Sequence, residues 1–321
     1  MFAAISYPPI PIFELGPLNL SLHGLFAAIG FMAGAWLMLR EVRKRGFDVE
    51  GATSVLTWAL VASILGARLF TVPVHLGDPG YGLSNIIGLE GDFSILGGFA
   101  GGILGGLLRG RLLGLKMLPY LDMAAAGLAV GAWVGRIGDV AIVEHLGSAT
   151  NFFLGYQLKP GYDVSPQHDV LETWCEQGLT CGPYHHTGLY DLVGALVLWG
   201  VLAWLARVWK SRHYGQLFSF WMIWYGLQRF FIDFARLGVA KGEADGQIAD
   251  SVIGPFTGSQ WGALAGALGG LILLLWFGRS QPVVSAQEDA VFSGNAADAV
   301  EVGSDASEPL ETAEVDATQD T

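Results

Sequence analysis

Seven stretches of mostly apolar residues, each near the length that crosses a bilayer, divide this chain: Leu18–Leu39, Gly51–His75, Asp92–Leu108, Pro119–Val143, Gly188–Val208, Gln216–Arg236 and Gln260–Phe277. A hydrocarbon core of about 30 Å takes about 20 apolar residues per helix, and a spanning segment must satisfy its own backbone. The pattern predicts an all-α, polytopic membrane protein with about seven transmembrane helices. Composition agrees: only 14% of the 321 residues are charged, against about a quarter in a soluble domain. The third stretch is short and holds Gly97, Gly98, Gly101, Gly102, Gly105 and Gly106. Small residues at this density let helix backbones approach closely, which predicts a central packing helix, one able to line a cavity.

Basic residues set the expected orientation. Arg40, Arg43, Lys44 and Arg45 follow the first stretch, Arg109, Arg111 and Lys116 the third, Arg207, Lys210 and Arg212 the fifth, and Arg279 the seventh. The alternate connections hold only Lys159 and Lys241. The bias places the N-terminus outside and the C-terminus in the cytoplasm. Residues 1–17 are then an extracytoplasmic segment, 18–279 the membrane domain, and 144–187 a long extracytoplasmic loop with Phe152, Phe153, Tyr156, Tyr162 and Trp174 for the outer interface. Residues 280–321 have no basic side chain and are rich in Ala, Ser, Asp and Glu. Such a segment cannot bury enough apolar surface to fold, so a disordered acidic cytoplasmic tail is expected. That tail carries most of the net charge of -12, and no nucleic-acid partner is implied. The start of the chain lacks a basic signal-peptide region and is interrupted by Pro8, Pro9 and Pro11, so insertion by its own spans is expected. The two cysteines, Cys175 and Cys181, share the outer loop. An oxidising compartment permits a disulfide between them, and the sequence leaves that pairing open.

Four arginines lie inside or at the end of the apolar stretches: Arg68, Arg136, Arg229 and Arg236. A guanidinium keeps its proton, and at membrane depth it faces a bundle interior or a water-filled cavity. Fixed positive charge there suits an anionic ligand that itself lives in the membrane, a phospholipid. Arg136 and Asp139 in GRIGDVAIVEHLG are three apart and can pair on a helix, with Glu144 beyond them. The competing reading is a buried ion pair that orients helices. In YGLQRFFIDFARLG, Arg229, Asp233 and Arg236 share one helical stripe, a fork with spare donors for a phosphate. Arg236 is equally open to snorkelling toward outer headgroups. HHTGLYDL places His185 and Tyr190 at the start of the fifth stretch, and SLHGLF places His23 at the start of the first. Each is also compatible with simple interfacial packing.

At these residues the chain resembles the prolipoprotein diacylglyceryl transferases. GRIGDVAIVEHLG is similar to the family signature GRxGNFxNGExxG, with Arg136, Glu144 and Gly147 in register. HHTGLYDL resembles HPxQLYE through His185, Leu189 and Tyr190, and YGLQRFFIDFAR resembles GxxRFxxEFxR through Arg229, Asp233 and Arg236. GSQW around Gln260 is similar to the family's start of the last span, and the likeness runs from His23 to Phe277. There are departures. Leu96 stands where the family has the histidine of a His-Gly-Gly motif, Asp139 replaces an asparagine, and His23-Gly24 replaces Tyr-Gly. Ile142 and Val143 replace the Asn-Gly before the glutamate.

The resemblance implies transfer of diacylglyceryl from phosphatidylglycerol to the lipobox cysteine of a prolipoprotein at the bacterial inner membrane, without metal or cofactor. Its implied partners are phosphatidylglycerol, prolipoprotein signal peptides and the lipid bilayer. Arg136 and Arg229 are expected to stabilise the leaving phosphate, with Glu144 and Asp233 orienting them. Arg68, Asp139 and Arg236 are expected to position the headgroup. With Leu96 unable to accept a proton, His23 is the expected base and His185 the alternative; Tyr190 is grouped with the substrate contacts. A paralogue that binds phospholipid without catalysis is the competing function. A transporter is disfavoured by the lack of internal repeats.

Overall fold

The computed structural model describes residues 4–10, 13–15, 18–72, 95–162, 169–178, 181–240 and 252–284. The chain is mostly helical. Among the described residues seven helices have 18 residues or more: α1 (Leu22–Lys44), α2 (Val49–Leu69), α3 (Ile95–Leu112), α4 (Met117–Ala141), α6 (Thr187–Val208), α7 (Gln216–Ala240) and α8 (Gly258–Ser280), with a short α5 (Asp169–Glu176) before α6. Of these, α1, α2, α4, α6 and α8 are long and apolar enough to cross a membrane. The expected span limits His75 and Asp92, and the acidic tail beyond residue 284, lie outside the described residues.

The fold is not purely helical. Strands β1 (Phe13–Leu15) and β2 (Leu18–Leu20) form an antiparallel pair, so the first expected span starts late. Ser21 accepts a hydrogen bond from the His23 backbone N–H and caps α1 there. The segment expected as an outer loop is built on β3 (Leu146–Ala149), β4 (Gly155–Tyr156) and β5 (Tyr184–His186), in the order β3-β5-β4. Val143, Leu146, Tyr156, Leu158, Leu171, Cys175 and Tyr184 form its core, and a Cys175–Cys181 disulfide closes it. Tyr156 is wholly buried there, whereas Phe152 and Phe153 are exposed. A last pair, β6 (Val252–Ile253) with β7 (Phe256–Thr257), precedes α8.

Helix ends are fixed by specific acceptors. Asp48 caps α2 by accepting from Gly51 N–H at 2.9 Å. Asp122 of α4 accepts from the Gly215 and Phe218 N–H groups at 2.8 and 3.0 Å, so a carboxylate sits at the positive end of α7. Thr257 and Gln260 form a reciprocal capping box at the start of α8. The first turns of α2, α4 and α7 therefore lie with the ends of α1 and α6 at one pole, where the Val284 N–H also bonds the Arg212 carbonyl. The other pole gathers His23, Asp139, Glu144 and the β3–β5 sheet.

Glycines set the helix crossings. A Cβ on Gly127 of α4 would lie 2.5 Å from the Gly34 carbonyl oxygen of α1, and one on Gly138 would lie 2.5 Å from that of Leu22. This contact brings the start of α1 against the end of α4, and so His23 against Asp139. Gly127→Val is expected to break the crossing and sharply lower accumulation and thermal stability in detergent, whereas Gly200→Ala, with nothing within 4 Å of its Cβ, should leave both unchanged. The glycines of α3 give the expected close approach of two helices, but not at the centre of the bundle. They pack on α2, where a Cβ on Gly97 would lie 2.3 Å from the Gly66 carbonyl oxygen, while Ile103, Leu104, Leu108 and Leu112 face outward. The helix is peripheral because its small residues occupy one face, which α2 already fills. Met32, Trp36, Phe231 and Ile272 also face outward, an apolar surface that suits lipid far better than water.

Candidate active site

One cavity of about 510 Å³ lies between α1, α4, α6 and α7. At one end it is lined by His23, Arg136, Asp139, His145, Arg229 and Arg236; toward the other by Phe31, Met38, Leu56, Leu128 and Trp221. From His23 to Met38, α1 advances about 22 Å at 1.5 Å per residue. The cavity is therefore polar at one end and apolar along its length.

Two carboxylates hold Arg136. Its Nη1 bonds Asp139 Oδ2 one turn on, and its Nη2 lies 3.0 Å from Asp191 Oδ2 of α6. Gln228 of α7 steadies Asp191 by donating to its carbonyl at 3.2 Å and its carboxylate at 3.3 Å. Asp139, only 1% exposed, also accepts from His23 Nδ1. That nitrogen is 3.3 Å from Glu144 Oε2 as well. Carboxylates only accept, so the proton between these groups belongs on Nδ1. The ligand atoms of His23, Asp139 and Glu144 fall within 4.8 Å of one another, a spacing that a divalent ion could share.

Across the cavity, Arg229 Nη2 lies 3.1 Å from Asp233 Oδ1, and Arg236 Nη1 lies 4.0 Å from the same oxygen. The other Asp233 oxygen accepts from the Thr257 hydroxyl at 2.8 Å and the Ser259 hydroxyl at 2.5 Å. Arg236 also reaches His145 Nδ1 at 3.4 Å. The arginines are fixed yet remain open to the cavity, with side chains 26% (Arg136), 20% (Arg229) and 32% (Arg236) exposed. Beyond the end of α4, burial works against ionisation of Glu144, but the His23 hydrogen bond holds it below the usual carboxylate range. Burial and the charge of Arg236 lower His145 to about 4.

The structure thus brings His23, Arg136, Asp139, Arg229 and Arg236 into one cavity, with Glu144 and Asp233 behind them. Three candidates lie elsewhere. Arg68 is buried on α2 and is not among the cavity-lining residues. His185 Nδ1 pairs with the Tyr190 hydroxyl at 3.0 Å, and that ring packs edge-on against Phe152. His185 and its neighbour diverge because both are on β5, before α6, and His186 Nε2 meets the Tyr7 hydroxyl at 2.8 Å. Leu96 lies in α3, and its side chain is outside the described residues. Sequence reasoning missed Asp191, Gln228 and His145. Asp191 was detectable as a carboxylate one turn inside an apolar span, since intramembrane ionisable residues mark sites.

The sequence profile described as prolipoprotein diacylglyceryl transferase matches residues 11–276. The chain belongs to that family. It is 32% identical over 232 residues to the phosphatidylglycerol–prolipoprotein diacylglyceryl transferase of Thermus thermophilus, covering 67% of this chain and 79% of that one. The enzyme of the same name from Geobacillus kaustophilus is 30% identical over 225 residues, covering 70% and 79%. That of Frankia alni is 27% identical over 293 residues, covering 90% of this chain and 71% of its own. The match spans every element that lines the cavity, from α1 to α7, and continues into α8.

Proposed function

We propose that this multi-pass membrane protein is a transferase that moves the diacylglyceryl group of phosphatidylglycerol onto the lipobox cysteine of prolipoproteins, and that the cavity is its active site. The observation that carries the reading is the polarity of the cavity. Three arginines crowd one end and an apolar channel leads away from them, matching a phospholipid with its phosphate at the arginines and its acyl chains along α1. All seven long helices then cross the bacterial inner membrane, α3 and α7 included. The N-terminal segment, residues 1–17, lies outside, the membrane domain is 18–279, and the arginine end faces the outer leaflet, where the signal peptide of the prolipoprotein presents its cysteine. The segment 144–187 covers that end, and the acidic tail, 280–321, is cytoplasmic.

In the reaction the cysteine sulfur attacks the glyceryl carbon bonded to the phosphate oxygen. A carbon–sulfur bond forms, the carbon–oxygen bond breaks, and glycerol phosphate leaves with the electron pair. Arg136 and Arg229 stabilise the charge growing on that phosphate, already oriented by Asp139, Asp191 and Asp233, so little reorganisation is needed. The thiol must lose its proton to become a good nucleophile. His23 in its neutral form supplies the acceptor: with Nδ1–H directed at Asp139 and Glu144, Nε2 takes the proton and the two carboxylates stabilise the imidazolium that results, the logic by which a carboxylate supports a catalytic imidazole. Its side chain is 49% exposed, open to an incoming peptide. Purified protein incubated with labelled phosphatidylglycerol and a lipobox peptide should release labelled, thioether-linked peptide. Bound lipid without product would replace this reading with that of a phospholipid-binding paralogue.

A further inference from the structure

We propose that His145 is a positioning residue that ties the two arginine-bearing walls of the cavity together and holds the Arg236 guanidinium at the headgroup end. The inference deepens the transfer reading and rests on it. A guanidinium only donates, so in the 3.4 Å contact with Arg236 Nη2 the acceptor is His145 Nδ1. The ring proton then sits on Nε2, the nitrogen 3.9 Å from Asp139 Oδ2. His145 accepts from α7 and turns its N–H toward α4. Polar contacts thereby run from Arg136 through Asp139, His145, Arg236 and Asp233 to Arg229.

The backbone gives a second, independent observation. His145 has φ +64° and Val143 has φ +53°, a left-handed region that L-residues rarely occupy and β-branched ones least of all. These two residues bracket Glu144 and end α4 in a tight turn instead of another helical turn. The turn is held from α6: the His145 carbonyl accepts from the Thr187 N–H at 3.2 Å and from the Thr187 hydroxyl. Locally unfavourable backbone persists where the surroundings impose it, and such places often serve function. Here the turn delivers an imidazole into the cavity wall. An imidazole whose Nδ1 accepts from an arginine keeps its lone pair there and carries a single proton, on Nε2.

The test uses the full chain in detergent with phosphatidylglycerol and a lipobox peptide. His145→Ala should raise the KM for phosphatidylglycerol by roughly ten- to a hundredfold, as misplacement of a binding group does, with a smaller change in kcat. His145→Asn should recover most of that loss, because its side-chain oxygen accepts where Nδ1 did and asparagine tolerates the left-handed backbone. An unchanged KM in the Ala variant overturns the proposal. So does an Asn variant as impaired as Ala, which makes the ring a proton carrier. Nitrogen-15 spectra of the unmutated protein, with His145 assigned by difference from the Asn variant, give a reading free of activity. A neutral ring protonated on Nε2 at pH 7 supports the brace; an imidazolium or an Nδ1–H ring overturns it. Should the unmutated protein bind phosphatidylglycerol without lipidating the peptide, the transfer reading fails by itself, and the same ordering of the variants is read from lipid dissociation constants.

Discussion

Arg229→Ala is expected to lower diacylglyceryl transfer by about 10²–10³, the usual cost of removing one well-placed donor from a developing oxyanion. The protein should remain folded in the membrane. Arg229 lines the cavity, and its partner Asp233 keeps the hydroxyls of Thr257 and Ser259 when the guanidinium is gone. Fold and reaction are therefore separable at this position. Labelled peptide formation measures the first effect and a melting curve in detergent the second. Arg229→Lys should fall between the two, since an ammonium supplies charge without the planar fork. Full activity in the Ala variant would end the transfer assignment for this cavity.

Asp139→Ala should do the reverse and damage the fold together with the activity. The side chain is buried and accepts from Arg136 and His23 at once, with His145 close by. Removing one member of a buried ionic group leaves the others uncompensated and destabilises by about 3 kcal/mol. The low end of the usual range applies because Arg136 keeps Asp191 and His23 keeps Glu144. A clear drop in melting temperature with loss of transfer is the expected result. Asp139→Asn should be milder, since an amide oxygen can still accept from one neighbour. A melting temperature unchanged by the Ala substitution would show that the site's charges are already balanced without it.

The helices were legible in the sequence wherever apolar length alone decides, as in α2, α6 and α8. So were the pairings three and four residues apart, Arg136 with Asp139 and Arg229 with Asp233, because helical periodicity fixes them locally. Contacts between helices were not. Asp191 reads as an interfacial residue until α6 is docked on α4, and only then does it meet Arg136. His145 was hidden by the turn after α4, since helical spacing would have pointed it elsewhere. The glycines of α3 announced a close crossing without saying which helix would meet them. Arg68 shows the converse: the same signal as Arg136 in a one-dimensional pattern, placed at the end of α2 whereas that helix lines the cavity through Leu56.

The capping hydroxyl of Thr257 accepts from the Gln260 N–H to begin α8 and donates to the carboxylate that orients Arg229. A single oxygen thus links the start of α8 to the cavity-facing Arg229 through Asp233. Asp233 lies 24 residues before Thr257, so in a chain that inserts in order α7 enters the bilayer ahead of the hydroxyls that complete its carboxylate. The site remains unfinished until the last helix docks, and a nascent or truncated chain ending before that point would bind lipid, if at all, with an unbraced guanidinium.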